Sequence, residues 1–103
     1  MSWQRISPEA AALLIEEKKP ALVDVRDPHS FKVGRIPGAF LLDNQSVHEF
    51  TEDADKSVPV LVYCYHGNSS QSAAAWLSEK GFAEVYSLDG GFEVWRLNYP
   101  VEA

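Results

Sequence analysis

The fold is decided by the stretch VPVLVYCYHGNSSQSAAAWLSEKG, which occupies residues 58–81. An apolar run at 60–63 predicts a strand that is buried on both faces. A loop of small and polar residues follows it. From Ser69 to Lys80 the residues Ala73, Trp76 and Leu77 recur at helical spacing, which predicts a helix that turns these three side chains to the core and ends at Gly81. The stretch therefore predicts a strand, a tight loop and a helix whose N-terminus faces that loop.

The same alternation of strand and helix continues on both sides of this stretch. Ser7 and Asp27 each precede a proline, an order typical of helix starts, and Asp43 or Asn44 can cap a further helix. The predicted strands occupy residues 3–6, 21–25, 39–42, 60–63 and 84–88. The predicted helices occupy residues 8–18, 28–33, 43–50, 69–80 and 92–97. Short links between alternating elements predict a single α/β domain over residues 1–103, with three layers and a mainly parallel sheet.

Composition and charge exclude several classes of function. The chain has 103 residues, of which 46% are hydrophobic and 23% are charged, so one globular domain is expected. The net charge of -6 argues against nucleic acid and anionic membranes as partners. No apolar run approaches the roughly 20 residues that span a bilayer, and the first residues do not resemble a signal peptide. With a single cysteine, no intramolecular disulfide can form, and we expect a reducing, cytoplasmic location.

The single cysteine is also the one residue whose surroundings indicate chemistry. Cys64 lies at the carboxyl end of the predicted central strand, which is the edge where parallel sheets bind ligands. The loop that follows it, and the helix N-terminus after the loop, bring backbone N–H groups and a positive dipole end together. Such a cradle favours the thiolate form of a thiol. A buried, inert thiol is the alternative, but such a thiol needs no Gly-Asn-Ser loop. We therefore predict that Cys64 is a nucleophile that takes a group from an anionic donor.

Three motifs, taken together, resemble the rhodanese family of sulfurtransferases. The first is CYHGNS at 64–69, which resembles the six-residue active-site loop of the family. The second combines DVR at 24–26 with GRIPGA at 34–39. The third is LDGGF at 88–92, followed by Trp95 and Pro100. The motifs cover nearly the whole chain and occur in the family's order.

The resemblance implies a fold, an activity and a site. The implied fold is a five-stranded parallel sheet in the order 3-2-4-5-1. The implied reaction is a double displacement, in which Cys64 takes sulfur from thiosulfate as a persulfide and passes it to cyanide or to a thiol such as thioredoxin or dihydrolipoate. Neither a cofactor nor a metal is implied. The catalytic residue is Cys64, and the substrate-binding residues are those of the loop, namely Tyr65, His66, Gly67, Asn68 and Ser69.

Three other functions remain open at this stage. The first is a phosphatase or arsenate reductase on the same fold, but those relatives carry a longer loop closed by an arginine, and Ser70 stands in that place here. The second is a module that only binds proteins, and such modules commonly lack the nucleophile. The third is a sulfur carrier supplied by a cysteine desulfurase, which would use the same persulfide.

The remaining candidate residues have simpler interpretations. His66 is expected to bind or to be exposed, since holding a persulfide requires no proton abstraction. His29 and His48 have no partner at metal-ligand spacing. Asp24 and Arg26 are expected to form a buried ion pair. Trp95, like Trp76, is spaced as a core residue, and the acidic side chains between residues 49 and 55 are expected to form a solvated face.

Overall fold

The computed structural model describes residues 2–103 as five strands that alternate with five helices. The strands are β1 (Gln4–Ile6), β2 (Ala21–Asp24), β3 (Phe40–Leu41), β4 (Val60–Tyr63) and β5 (Val85–Leu88). The helices are α1 (Pro8–Lys18), α2 (Pro28–Val33), α3 (Val47–Asp53), α4 (Ser69–Glu79) and α5 (Gly91–Asn98).

All five strands form one parallel sheet in the order β3-β2-β4-β5-β1. This confirms both the α/β class and the strand order that the sequence motifs implied. The central strand, β4, pairs with β2 and with β5, and its four residues are all buried. Because every strand points the same way, all the carboxyl ends meet at one edge of the sheet, where Cys64 follows β4.

Each face of the sheet is covered by helices, so the domain has three layers. Side chains that alternate along the strands divide into two cores. One core joins Leu22, Leu61, Tyr63 and Leu88 of the sheet to Ala11 of α1 and to Phe92 and Trp95 of α5. The other joins Val23, Val60, Val62 and Val85 to Ala74 and Leu77 of α4, with side chains of α3 packed against it.

Two expectations about the helices on the second face were wrong. The third helix begins at Val47 rather than near Asp43, because the Asp43 carboxylate accepts the N–H groups of Gln45 and Ser46 in a turn ahead of the helix. Trp76 is 39% exposed and not a core residue. It lies beside Lys80, whose ammonium group is 5.2 Å from the ring centroid. The helix itself was predicted correctly, but its apolar contacts with the core come from Ala74 and Leu77, with Ala73 packed against them.

A buried ion pair ties β2 to the segments around it, as the sequence predicted. The Arg26 guanidinium donates to both carboxylate oxygens of Asp24, at distances of 2.7 to 3.1 Å. It also donates to the carbonyl of Gly34 at 2.6 Å and lies 4.2 Å from the ring centroid of Phe92. The side chains of Arg26 and Asp24 are 3% and 0% exposed, so each depends on the other for compensation of its charge.

We expect Asp24→Asn to lower the free energy of unfolding by about 3 kcal/mol, because it leaves the Arg26 charge buried without its counter-ion. Urea denaturation measures this change. The matched control is Asp89→Asn, which makes the same chemical change in the exposed Arg5–Asp89 pair. That control should cost less than about 1 kcal/mol. Similar losses in the two variants would contradict the role given to the buried pair.

Candidate functional site

The loop after β4 wraps its backbone around the sulfur of Cys64. The Cys64 side chain and Gly67 are buried within this ring, whereas Tyr65, His66, Asn68 and Ser69 are exposed around it. Five of the six predicted site residues, 64–68, therefore form the loop between β4 and α4, and the sixth, Ser69, is the first residue of α4. His48 lies apart from the loop, on α3, whereas His29 of α2 lines a cavity beside the loop without contacting the sulfur.

Two backbone N–H donors and one hydroxyl contact the sulfur directly. The N–H of Gly67 donates to Sγ at 3.1 Å, and the N–H of Ser70 donates at 3.3 Å. The Ser70 hydroxyl lies 3.4 Å from the same sulfur. Ser70 is in the first turn of α4, so the positive end of that helix dipole adds to the potential at Sγ.

Neighbouring elements hold the loop carbonyls away from the sulfur. The carbonyls of Cys64 and Tyr65 accept the N–H groups of Phe92 and Glu93 in the first turn of α5, at 2.9 and 3.0 Å. The Gly67 carbonyl accepts the side-chain amide of Gln71 at 2.9 Å. With these oxygens pointing outward, the N–H groups of the loop can point inward.

Two glycines make this close packing possible. Gly67 has a φ of +92°, and a Cβ there would lie 2.8 Å from the backbone nitrogen of Gly90. Gly91 has a φ of +62°, and a Cβ there would lie 2.5 Å from the Tyr65 carbonyl oxygen. Side chains at these positions would push α5 and the loop apart.

The donors around Sγ lower the pKa of Cys64 below its usual value. Burial of the thiol acts in the opposite direction, but the Ser70 hydroxyl and the N–H groups of Ser70, Gly67 and His66 outweigh it. The ring thus stabilises the thiolate, as the sequence pattern predicted.

The loop also contains backbone N–H groups that have no acceptor within the described residues. Within residues 2–103, the backbone N–H groups of Asn68 and Ser69 make no hydrogen bond. No loop residue is a lysine or an arginine, and the nearby Arg26 and Arg96 are each paired with a carboxylate. The site can therefore hold a small anion, or a sulfur atom with negative charge, by dipoles without a free cation.

Aromatic and basic residues of neighbouring elements border a cavity beside the loop. Its volume is about 420 Å³, and Tyr65, Phe92, His29 and Arg96 are among its lining residues. Tyr65 is 40% exposed, and its ring lies 5.3 Å from that of His66. These two side chains lie at the outer edge of the backbone loop around Cys64, and neither forms a hydrogen bond with the sulfur.

Sequence reasoning missed two residues that shape the site. Ser87 of β5 lies 2.8 Å from the Ser70 hydroxyl, and Gln71 orients the Gly67 peptide. The polar Ser87 inside an otherwise apolar strand was a signal for the first. For Gln71 there was no signal, because a glutamine in a helix is ordinary.

Among residues 2–103, no three metal-ligating side chains come together. Nor does any helix in that part of the chain combine the length and apolarity needed to cross a bilayer.

The family model for the rhodanese-like domain matches residues 7–98. Proteins described as thiosulfate sulfurtransferase GlpE are similar over almost the whole chain. One from Pseudomonas putida is 55% identical over 97% of this chain and 91% of its own length. Another, from Pseudomonas aeruginosa, is 54% identical over 98% of this chain and 91% of its own length.

Solved structures of more distant proteins share the fold. A rhodanese-related protein from Thermoplasma volcanium superposes with a TM-score of 0.82 at 26% identity, covering 97% of this chain and 98% of its own. A protein of unknown function from Rhodopseudomonas palustris, described as a possible tyrosine phosphatase, superposes with a TM-score of 0.83 at 25% identity. That match covers 97% of this chain and 85% of the other.

We expect Gly91→Ala to destabilise the protein and displace the loop, because its Cβ would collide with the carbonyls of Tyr65 and Cys64. The matched control is Gly38→Ala, where φ is also positive, at +85°, but no atom lies within 4 Å of the added carbon. The control should lose about 1 kcal/mol from backbone strain alone, whereas Gly91→Ala should lose at least about 2 kcal/mol more through overpacking. Thermal and urea unfolding measure both losses, and equal values would contradict the close contact between α5 and the loop.

Proposed function

The chain belongs to the rhodanese family, and from that premise we propose that it is a thiosulfate sulfurtransferase with a persulfide intermediate on Cys64. The observation that carries the proposal is the ring of donors around a single buried sulfur. Similarity to the GlpE proteins supports sulfur transfer as the activity and thiosulfate as the donor.

In the first half-reaction the Cys64 thiolate attacks the outer sulfur of thiosulfate. A bond forms between Sγ and that sulfur, the bond within thiosulfate breaks, and sulfite leaves with the electron pair. The lowered pKa of Cys64 supports this step, because it raises the fraction of the sulfur that is present as the nucleophilic thiolate. Attack by a thiolate requires no base, so we propose no proton-transfer role for His66, which is exposed.

In the second half-reaction an acceptor attacks the outer sulfur of the persulfide. Cyanide would leave as thiocyanate, and a thiolate would become a persulfide; in both cases the electrons of the broken bond return to Sγ. Until then the terminal sulfur carries negative charge. We propose that the N–H groups of Asn68 and Ser69, which have no acceptor within the described residues, stabilise this charge.

The substrate-binding role of the loop rests mainly on its backbone. Gly67, Asn68 and Ser69 contribute N–H groups, while the exposed side chains of Tyr65 and His66 border the approach to Cys64. We propose a thiol of a small molecule or of a protein such as thioredoxin as the natural acceptor. Because the nucleophile must stay reduced, we also propose a cytoplasmic location.

A phosphatase is the alternative that a structural neighbour suggests. Such chemistry needs a positive group on the oxygens of the phosphoryl group. Here the position six after Cys64 is Ser70, whose neutral side chain is fully buried and contacts the sulfur instead. The loop therefore supports sulfur transfer better than phosphoryl transfer. A carrier supplied by a desulfurase would use the same persulfide and differs only in its donor.

We expect wild-type protein to gain the mass of one sulfur atom after incubation with thiosulfate and to lose it again on addition of cyanide. Cys64→Ser should gain nothing and form no thiocyanate, because an alkoxide is not accessible near neutral pH and cannot form a persulfide. Intact-protein mass spectrometry and a thiocyanate assay measure the two results, and circular dichroism checks the fold of the variant. Sulfur loading of well-folded Cys64→Ser would contradict the assignment.

We expect negligible turnover of p-nitrophenyl phosphate and of arsenate under conditions where thiosulfate is a working donor. The missing arginine alone should reduce the phosphatase rate on the order of a thousandfold. Ser70→Arg should not restore it, because the ring remains too short for a phosphoryl group. The liberated p-nitrophenol and the loss of arsenate are measured in parallel with thiocyanate, and comparable rates on phosphate and thiosulfate would exclude our proposal.

A further inference from the structure

Two serine hydroxyls form a buried chain that ends at the sulfur. Ser70 of α4 and Ser87 of β5 are 0% and 1% exposed, and their Oγ atoms are 2.8 Å apart. The Ser70 Oγ is in turn 3.4 Å from the Cys64 Sγ. Within residues 2–103 the Ser87 hydroxyl has no other hydrogen-bond partner. Ser87 therefore reaches the nucleophile only through Ser70.

The ionisation state of the sulfur decides how the two hydroxyl hydrogens can point. With a thiolate, Ser87 donates to Ser70 and Ser70 donates to the sulfur, so both hydrogens have acceptors. With a thiol that donates to Ser70, the chain reverses, and the Ser87 hydrogen is left buried without an acceptor. With a thiol that turns its hydrogen elsewhere, Ser70 donates to a neutral sulfur, which is a weak acceptor. Both thiol arrangements are less favourable than the thiolate arrangement.

We propose that Ser87 is a positioning residue that directs the Ser70 hydroxyl hydrogen at the Cys64 sulfur and thereby favours the nucleophilic form. The chain acts along two hydrogen bonds, and Ser87 touches neither the sulfur nor a substrate. A role of Ser87 in catalysis rests on the proposed function. Its effect on the ionisation of Cys64 does not, because that effect concerns the thiolate alone.

The surrounding charged groups do not replace this chain. None of them hydrogen bonds the sulfur, and each of the two arginines is paired with a carboxylate. The titratable groups on the elements around the loop include Tyr63 on β4, the Asp24–Arg26 pair at the end of β2, His29 on α2, Tyr65 and His66 in the loop, Glu79 on α4, Tyr86 on β5 and Asp89 after it, and Glu93 and Arg96 on α5. All of them are unchanged in the variants described below, so differences between the variants report on the hydroxyls.

The test is a pH titration of the single cysteine, followed by the NMR signal of its isotopically labelled Cβ. This signal needs no sulfur donor, no acceptor and no access of a reagent to the buried sulfur. We expect Ser87→Ala to raise the pKa of Cys64 by about half a unit, a roughly threefold fall in the ratio of thiolate to thiol, and Ser70→Ala to raise it by about one unit. The double variant should match Ser70→Ala, because Ser87 acts only through Ser70.

Ser78→Ala is the matched control. Ser78 is also a buried serine of α4, and its Oγ has no hydrogen-bond partner among the described residues. Its replacement should leave the pKa of Cys64 unchanged. Ser87→Thr, which keeps the hydroxyl, should restore the wild-type value, and circular dichroism checks that every variant is folded.

Two results would overturn the proposal. One is an unchanged pKa of Cys64 in Ser87→Ala when Ser70→Ala shifts it. The other is a double variant in which the two shifts add, since that would mean that Ser87 acts independently of Ser70. The titration can be interpreted even if the protein transfers no sulfur, because it requires neither donor nor acceptor. The two proposals are therefore tested independently.

Discussion

The structure of the site depends on one constraint, which is the direction of the peptide groups between Cys64 and Ser70. A loop of this size has both carbonyls and N–H groups to place, and only one set can face the sulfur. The first turn of α5 and the side chain of Gln71 donate hydrogen bonds to three of the carbonyls, which point away from the sulfur. The ring of inward N–H groups, the lowered pKa of Cys64 and the capacity for an anion all follow from that choice.

The site stabilises negative charge without using a free cation. The protein carries a net charge of -6, and the two arginines closest to the loop are neutralised by Asp24 and Glu93. Fixed dipoles act over a short range, so they favour charge at one atom, while attraction of distant anions remains weak. This arrangement suits an enzyme-bound species whose charge is on one sulfur, such as a thiolate or a persulfide, better than a phosphoryl group whose charge spreads over several oxygens.

The sequence predicted the strands, their parallel pairing and the loop at the end of β4, because apolar runs and cap signals are local properties of the chain. It also located Cys64 and its ring, since a glycine and small polar residues between a buried strand and a helix are typical of an anion-binding turn. It failed where the outcome depended on distance in space. The depth of packing under α4 decided that Trp76 is exposed, and the neighbouring strand decided what Ser87 contacts.

The hydrogen bonds from α5 to the loop affect the order in which the site forms during folding. Cys64 and its loop precede Gly91 along the chain, yet the peptides around the sulfur are oriented by N–H groups of residues 92 and 93. Contacts between distant segments form late, because closing the intervening chain costs entropy before the contact is made. A partly folded protein that already has its central strands would therefore lack this orientation of the loop peptides, and the donors around Cys64 would be in place only when the last helix docks.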